Sequence, residues 1–151
     1  MEGILGTTTV TQIGIVVRDI EKTKVKYAEF FGVPVPPTCD SGDPAVVKTT
    51  YEGEPVPETG CYMAFYNLPN LQLELIQPFG GKSTWQDFLD QHGEGIHHIA
   101  FGVKNTDEKI KIMEAFGSHV VQRGLYGGAT GEYTYLDTPD MKIMLELLES
   151  Y

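Results

Sequence analysis

An internal repeat restricts the fold of this 151-residue chain more than any other feature. The segment QIGIVVRDIEKTKVKYAEFFG, which begins at Gln12, aligns with HIAFGVKNTDEKIKIMEAFG, which begins at His98. A second pair of segments, LQLELIQ and IMLELLE, aligns Glu74 with Glu146. Four polar residues therefore occupy two equivalent positions in two copies of one unit. This arrangement predicts a shared site at a pseudo-twofold axis.

The first copy has the hydrophobic pattern of a β-α-β-β-β unit. Alternation predicts a strand over residues 12–18, and Asp19 and Gly32 are suited to cap and end the helix that follows. The remaining strands are a β-like run (45–51) within a Pro- and Gly-rich loop and a hairpin (61–77).

The second copy predicts the same order, and a short capped helix over 83–91 links the two. Its elements are a strand at 98–104, a helix at 107–116 and strands at 119–123, 133–137 and 142–148. The Gly-rich stretch 125–131 precedes a strand, which favours a hairpin turn or a loop at the mouth of a site. We expect one α+β domain over residues 1–151, with half-domains at about 9–80 and 94–149.

The composition argues against several classes of function. The formal charge of −10, from 21 acidic and 11 basic residues, disfavours binding to nucleic acid. No apolar run approaches the roughly 20 residues that span a bilayer, and no targeting leader is expected. Cys39 and Cys61 lack metal-type spacing, and reduced thiols in a cytoplasmic protein are favoured over a disulfide.

Strand parity places the four repeated polar residues on one face of the sheet. Successive side chains alternate between the faces of a strand. Gln12 and His98 therefore point away from their large aliphatic neighbours, and Glu74 and Glu146 point away from the leucines that flank them. The bulky face can cover a helix, which leaves the polar residues on the opposite, concave face.

A divalent metal explains this polar set best. A carboxylate on an apolar strand is unfavourable unless it is paired or bound to a cation. One imidazole, one amide oxygen and two carboxylates suit Zn²⁺, Ni²⁺, Co²⁺ or Mn²⁺. The alternative is that Gln12 and His98 cap strands and that the glutamates are solvated. His97 is expected to point to the other face as a structural residue, and His92 and His119 have no comparable neighbours.

The paired βαβββ units with these polar residues resemble the vicinal oxygen chelate superfamily. It includes glyoxalase I, methylmalonyl-CoA epimerase, extradiol dioxygenases and bleomycin-resistance proteins. The resemblance covers residues 9–148, and FLDQHGEGIHHIAFGV and LELIQPFG are most similar to the epimerases. It implies a curved, incompletely closed mixed sheet around a central cavity, with helices outside. It also implies that Gln12, Glu74, His98 and Glu146 are the metal ligands.

Three departures from the epimerase pattern bear on the substrate. Gln12 stands where the epimerases usually have His, and a Gln, Glu, His, Glu set resembles the zinc glyoxalase I of eukaryotes. Met63 aligns with a second catalytic carboxylate of some epimerases. The segment 38–58 is longer than the corresponding loop, which borders the substrate in this fold.

The expected activity is that of a metal-dependent isomerase or epimerase that removes a proton α to a carbonyl. Glu146 or Glu74 is the candidate base, and an acyl thioester or a glutathione adduct is the candidate substrate. A glyoxalase I-like lyase is one alternative.

A non-catalytic module that binds a small molecule such as an antibiotic is the other alternative, with Tyr62, Tyr66, Tyr133 and Tyr135 as candidate cavity residues. Gln12 disfavours an extradiol dioxygenase, which needs two His and one Glu around iron. A homodimer is expected, because the outer strands of the two units leave edges to cover.

Overall fold

A computed structural model describes residues 1–151 and places all ten strands in one mixed sheet. The strands are β1 (Gln12–Val16), β2 (Cys39–Asp40), β3 (Thr50–Tyr51), β4 (Glu54–Pro55), β5 (Gly60–Asn67), β6 (Gln72–Phe79), β7 (Gly95–Gly102), β8 (His119–Tyr126), β9 (Gly131–Thr138) and β10 (Ile143–Ser150). The helices are α1 (Ile20–Phe31), α2 (Pro44–Val47), α3 (Thr84–His92), α4 (Thr106–Ala115) and a 3-10 turn (Pro139–Met141). None of the helices has the length and apolar character needed to cross a membrane.

The sheet order shows the predicted pseudo-twofold symmetry. Its order is β2-β5-β6-β1-β7-β10-β9-β8-β3-β4. The first strands of the two copies, β1 and β7, form an antiparallel pair at the centre. Each then pairs in parallel with the last strand of its own copy, β6 or β10. The predicted α+β architecture, with a curved mixed sheet, is confirmed.

Helices α1 and α4 cover the two halves of the convex face. Asp19 caps α1 by accepting a hydrogen bond from Lys22 N, and Gly32 ends it in the left-handed conformation at φ 69°. Ile20 and Ala28 of α1 pack on Leu73 and Leu75 of the first half. Leu145 and Leu147 are covered in the same way by α4. The aliphatic face of each polar strand is therefore buried under a helix, as strand parity predicts.

Helix α3 packs against β6, β1 and β7 near the junction of the two halves. Ser83 caps it, because the serine Oγ accepts from Gln86 N at 3.0 Å. Its Trp85 and Leu89 belong to a core cluster that includes Tyr133 and Tyr135 of β9. This helix, predicted as a simple link, therefore supplies side chains to the concave side.

The predicted β-like run at residues 45–51 is wrong for its first part. Pro44 follows the capping residue Asp43, whose side chain accepts from Ala45 N, and a short helix forms there instead of a strand. The second strand of the first half is β2, which pairs with β5. Strand β3 pairs with β8 of the other half. The crossing segment, residues 41–59, thus links the two ends of the sheet order.

Candidate metal centre

The four polar residues of the repeat come together at the floor of the concave face. His98 Nε2 lies 3.0 Å from Glu146 Oε2, 3.5 Å from Glu74 Oε2 and 2.9 Å from Gln12 Oε1. One ligand atom each from Glu74, His98 and Glu146 lies within 4.8 Å of the other two. Not more than 6% of any of the four residues is exposed. The alternative with solvated glutamates is therefore wrong.

Gly14 makes room for the imidazole of His98. The two residues lie opposite each other in the central β1–β7 pair. A Cβ atom at residue 14 would lie 1.9 Å from His98 Cε1 and 2.4 Å from His98 Nδ1. The ring thus occupies the volume that any side chain at residue 14 would need. The sequence aligned Gly14 with Ala100 but carried no signal of this close approach.

A short chain of amides orients Gln12. Its Nε2 donates to Gln72 Oε1 at 2.7 Å, and Gln72 Nε2 donates to Asn67 Oδ1 at 2.9 Å. In this orientation Gln12 Oε1 faces the centre, as a metal ligand must, and there it meets only hydrogen-bond acceptors. Rotating the amide by half a turn would bring its NH₂ group to 3.0 Å from Glu146 Oε2 and 3.2 Å from Glu74 Oε2. The same side chain can thus either present an oxygen or donate to both carboxylates.

His97 lies in a β-bulge, and its predicted position on the opposite face is wrong. Gly14 and Ile15 pair with His98 and Ile96, which leaves His97 as the extra residue on β7. The bulge breaks the alternation on which the prediction relied. The His97 ring is 2% exposed. Its Nδ1 lies 3.0 Å from His98 Nδ1, and its Nε2 lies 3.1 Å from Thr84 Oγ1.

These contacts assign a tautomer to both imidazoles. If His98 Nε2 faces a metal, its Nδ1 carries the proton and donates to His97 Nδ1. His97 then carries its own proton on Nε2 and donates to Thr84 Oγ1. Burial and the neighbouring His98 hold the pKa of His97 well below its usual range, so its Nδ1 is free to accept. His97 therefore orients His98 for a metal.

Two buried carboxylates at this distance from one imidazole create a strong charge conflict. Burial, followed by the charge of Glu146, raises the pKa of Glu74 to about 8, although His98 opposes the rise. Burial disfavours the charged form of His98, but Glu146 and Glu74 outweigh this and raise the pKa of His98. Without a bound metal ion, this group of side chains therefore keeps protons at neutral pH that ordinary carboxylates would have lost.

A cavity of about 530 Å³ opens beside this group, and Gln12, Glu74 and Glu146 line it. Tyr133 and Tyr135 line it as predicted. Tyr62 is instead 41% exposed, and Tyr66 is buried with its hydroxyl donating to Lys24 O. Further side chains from α3, β5, β10 and the β8–β9 hairpin, which the sequence did not predict, complete the wall. They are Cys61, Phe65, Trp85, Leu125, Tyr126 and Leu148.

The other two histidines lie away from the centre. His119 is exposed and its Nε2 lies 2.5 Å from Glu52 Oε2 of the crossing segment. His92 ends α3, where its ring packs against Phe88. Neither shares a carboxylate with the four central residues.

The donor set fits a divalent metal. Uncompensated burial of two carboxylates is costly, and a cation between them would remove both the repulsion and the need for protons. An imidazole nitrogen, an amide oxygen and two carboxylates are ligands of the borderline divalent ions. Glu74, His98 and Glu146 are the residues of this chain that could hold such an ion together.

Comparison with known proteins agrees with this architecture. A family model described as the Glyoxalase/Bleomycin resistance protein/Dioxygenase superfamily matches residues 11–135. The chain belongs to this superfamily. Every residue of the central set except Glu146 lies within the matched region, and Glu146 lies on β10, beyond the end of that region.

Within the superfamily, relatives named as epimerases are similar to this chain. Methylmalonyl-CoA epimerase of Bos taurus is 26% identical over 121 residues, which are 80% of this chain and 61% of the relative. Ethylmalonyl-CoA/methylmalonyl-CoA epimerase of Cereibacter sphaeroides is 26% identical over 113 residues, 74% of this chain and 73% of the relative. The chain thus spans less than two thirds of the length of the bovine protein.

Solved structures of superfamily members have the same fold. A Streptomyces coelicolor methylmalonyl-CoA epimerase variant in complex with 2-nitronate-propionyl-CoA aligns with a TM-score of 0.65 and 25% identity, over 95% of this chain and 94% of that one. Methylmalonyl-CoA epimerase of Mycobacterium tuberculosis aligns with a TM-score of 0.67 and 19% identity, over 100% and 92% of the two chains. The second likeness concerns the fold alone.

Proposed function

We propose that the protein is a metal-dependent, epimerase-like isomerase that removes a proton α to a carbonyl. The observation that carries the proposal is the buried group of Gln12, Glu74, His98 and Glu146, which lines a cavity with all its members except His98. A binding module has no need for two buried carboxylates that face one imidazole at 3.0 and 3.5 Å. The names of the relatives support the same class.

The chain's own residues have separate roles in this proposal. Gln12, Glu74, His98 and Glu146 would hold one Zn²⁺, Ni²⁺, Co²⁺ or Mn²⁺ ion. When bound, the ion supplies Lewis-acid stabilisation of negative charge on substrate oxygens. Glu146 takes the α-proton on its carboxylate, and Glu74 is the alternative base. His97 positions His98, and the aromatic wall excludes water from the reacting carbon.

A two-base epimerase needs a second acid in addition to Glu146 or Glu74. Met63 faces the cavity from β5 and cannot transfer a proton. Asp40, on the neighbouring β2, lies at the cavity edge, but its Oδ1 accepts from Gly42 N at 2.9 Å. Turnover of methylmalonyl-CoA is therefore expected to be slow unless Asp40 acts as the second acid. Gln12, in place of the histidine that is usual in the epimerases, favours the second candidate, a glyoxalase I-like lyase.

Proton exchange in D₂O tests the proposal. The metal-loaded protein is incubated with methylmalonyl-CoA and with a hemithioacetal of glutathione, and deuterium at the α-carbon is followed by NMR. The wild type is expected to exchange at least one of them. Glu146→Gln should lower the rate by roughly 10² to 10⁴ through loss of the base, and Glu114→Gln, an exposed carboxylate on α4, should not.

Metal analysis of the same samples separates loss of the base from loss of the ion. A Glu146→Gln protein that keeps its metal and loses exchange supports the base. Absence of exchange in a metal-loaded wild type would favour the binding module.

A homodimer and a cytoplasmic location stay predictions. The two edge strands of the sheet, β2 and β4, are only two residues long, and β4 contains Pro55. Such short edges need little protection, so the expected need to cover them is a weaker reason for dimerisation.

A further inference from the structure

The wall of the cavity differs in character from its floor. Above the four polar residues, Met63 and Phe65 project from β5, Trp85 from α3, and Leu125 and Tyr126 from the β8–β9 hairpin. These side chains come from both halves of the repeat and from the linking helix. A ligand would place its oxygens on the metal. The rest of the ligand would then occupy the space that these side chains surround.

The polar groups of the aromatic side chains in the wall already form hydrogen bonds within the protein. Trp85 Nε1 donates to Tyr135 OH at 3.0 Å, and Tyr126 OH donates to Glu149 O at 3.1 Å. Tyr133 OH lies 3.4 Å from Thr49 Oγ1 and accepts from Gln122 Nε2 at 3.3 Å. These hydrogen bonds occupy the polar groups of Trp85 and Tyr126, so their rings add mainly apolar surface to the wall.

The cavity also lacks a cation that could meet an anionic substituent. No lysine or arginine lines it, whereas Asp40, Glu74 and Glu146 do. Arg123 lies two residues before Leu125, but its Nη2 lies 3.0 Å from both Asp107 Oδ1 and Glu132 Oε2. A carboxylate placed against this wall would lose water without gaining a partner.

We infer that the site selects ligands in which two neighbouring oxygens are attached to an uncharged apolar group, aromatic or branched aliphatic. It disfavours ligands that carry a further carboxylate there, beyond the two oxygens that are assigned to the metal. This substrate class rests on the proposed function, because the two oxygens are assigned to the metal. It applies to the acyl part of a ligand, whatever carrier the acyl group is attached to.

Trp85 provides a direct measurement, because it is the only tryptophan of the chain and it lines the cavity. The Zn²⁺-loaded protein is titrated with three bidentate hydroxamates: benzohydroxamate, acetohydroxamate and the monohydroxamate of malonate. Tryptophan fluorescence reports binding, and the metal-free protein serves as the blank. Benzohydroxamate should bind about tenfold or more tightly than acetohydroxamate through burial of its ring, and the malonate derivative should bind most weakly.

A designed exchange of specificity sharpens the test. Leu125→Lys adds a cation to the wall and should improve binding of the malonate derivative at least tenfold relative to benzohydroxamate. Val25→Lys adds the same charge on the exposed side of α1 and should leave the order of affinities unchanged. Trp85 is retained in both variants.

The outcomes separate the inference from the proposed function. If the protein binds Zn²⁺ but prefers the malonate derivative, or shows no preference among the three, the apolar selectivity is overturned and the metal site stands. If the protein binds no metal ion, the proposed function fails and the inference fails with it. Direct metal analysis tells these two results apart.

Discussion

At the scale of single residues, the position in the site with the least room for a side chain is residue 14. Gly14 is needed for space, because the His98 ring fills the volume beside its Cα atom. Its φ is not in the left-handed range, so backbone freedom is not the reason. The position therefore tests whether the placement of His98 matters for the centre.

Replacement of this glycine is expected to displace the imidazole. Gly14→Ala should lower Zn²⁺ affinity about 10-fold to 100-fold and cost roughly 1–3 kcal/mol of unfolding free energy through overpacking. Isothermal titration and urea unfolding would measure the two effects. Gly102→Ala is the matched control on β7, since its Cβ would meet only Thr11 Cγ2 at 4.0 Å. Equal behaviour of the two variants would contradict the role of Gly14.

The candidate site was largely predictable because its signal is periodic. The repeat and strand parity identified Gln12, Glu74, His98 and Glu146 from spacing alone. The same rule misplaced His97, because a bulge in β7 depends on the pairing with β1 and leaves no local trace. Trp85 and Gly14 were missed for a related reason, since their roles arise only when distant strands and α3 pack together.

At the scale of elements, the crossing segment marks the limit of sequence-based prediction. Helix α1 and the β5–β6 hairpin were predicted well, because caps and turns are local signals. Residues 45–51 contain β-branched side chains that suggested a strand, whereas Asp43 and Pro44 start a helix. The pairing of Thr50 with Arg123 joins residues far apart in the chain, and no local pattern encodes it.

The attachment of this segment can be loosened at Tyr51. The Tyr51 hydroxyl donates to Asp87 Oδ2 of α3, and this contact and burial raise the pKa of Tyr51 to about 12. Tyr51→Phe should therefore cost about 1 kcal/mol. Amide exchange of Glu52, which donates to Val121 O at 2.7 Å, and of Val56 should accelerate about fivefold.

Tyr62→Phe is the control for that experiment, because its ring is 41% exposed and lies at the outer face of β5. Unchanged exchange at Glu52 and Val56 in Tyr51→Phe would show that the Asp87 contact does not hold the segment. Acceleration in both variants would assign the effect to a general loss of stability.

At the scale of the whole molecule, the metal-free protein should become less stable as the pH rises. The folded state raises the pKa of Glu74 from 4.5 to about 8, so the stabilisation is complete below 4.5 and is lost as the pH passes 8. The raised pKa of His98 acts in the same direction. Since a tenfold change in an acid constant is about 1.4 kcal/mol, the loss should be a few kcal/mol.

Urea unfolding of the metal-free protein at several pH values measures this loss. Glu74→Gln should flatten the pH dependence, and Glu54→Gln, an exposed carboxylate on β4, should preserve it. Excess Zn²⁺ should reverse the trend, because the ion binds the deprotonated ligands. Rising stability of the metal-free protein between pH 5 and pH 8 would contradict the buried acid pair.

The pseudo-twofold axis between β1 and β7 has a consequence for how the chemistry of such a centre can diversify. Two copies of the first repeat would bring two glutamines and two glutamates to the axis, whereas two copies of the second would bring two histidines and two glutamates. One chain that carries both repeats can vary each half separately. A single substitution at Gln12 or at His98 therefore changes whether the ligand set prefers harder or softer metal ions. The scaffold and its symmetry remain.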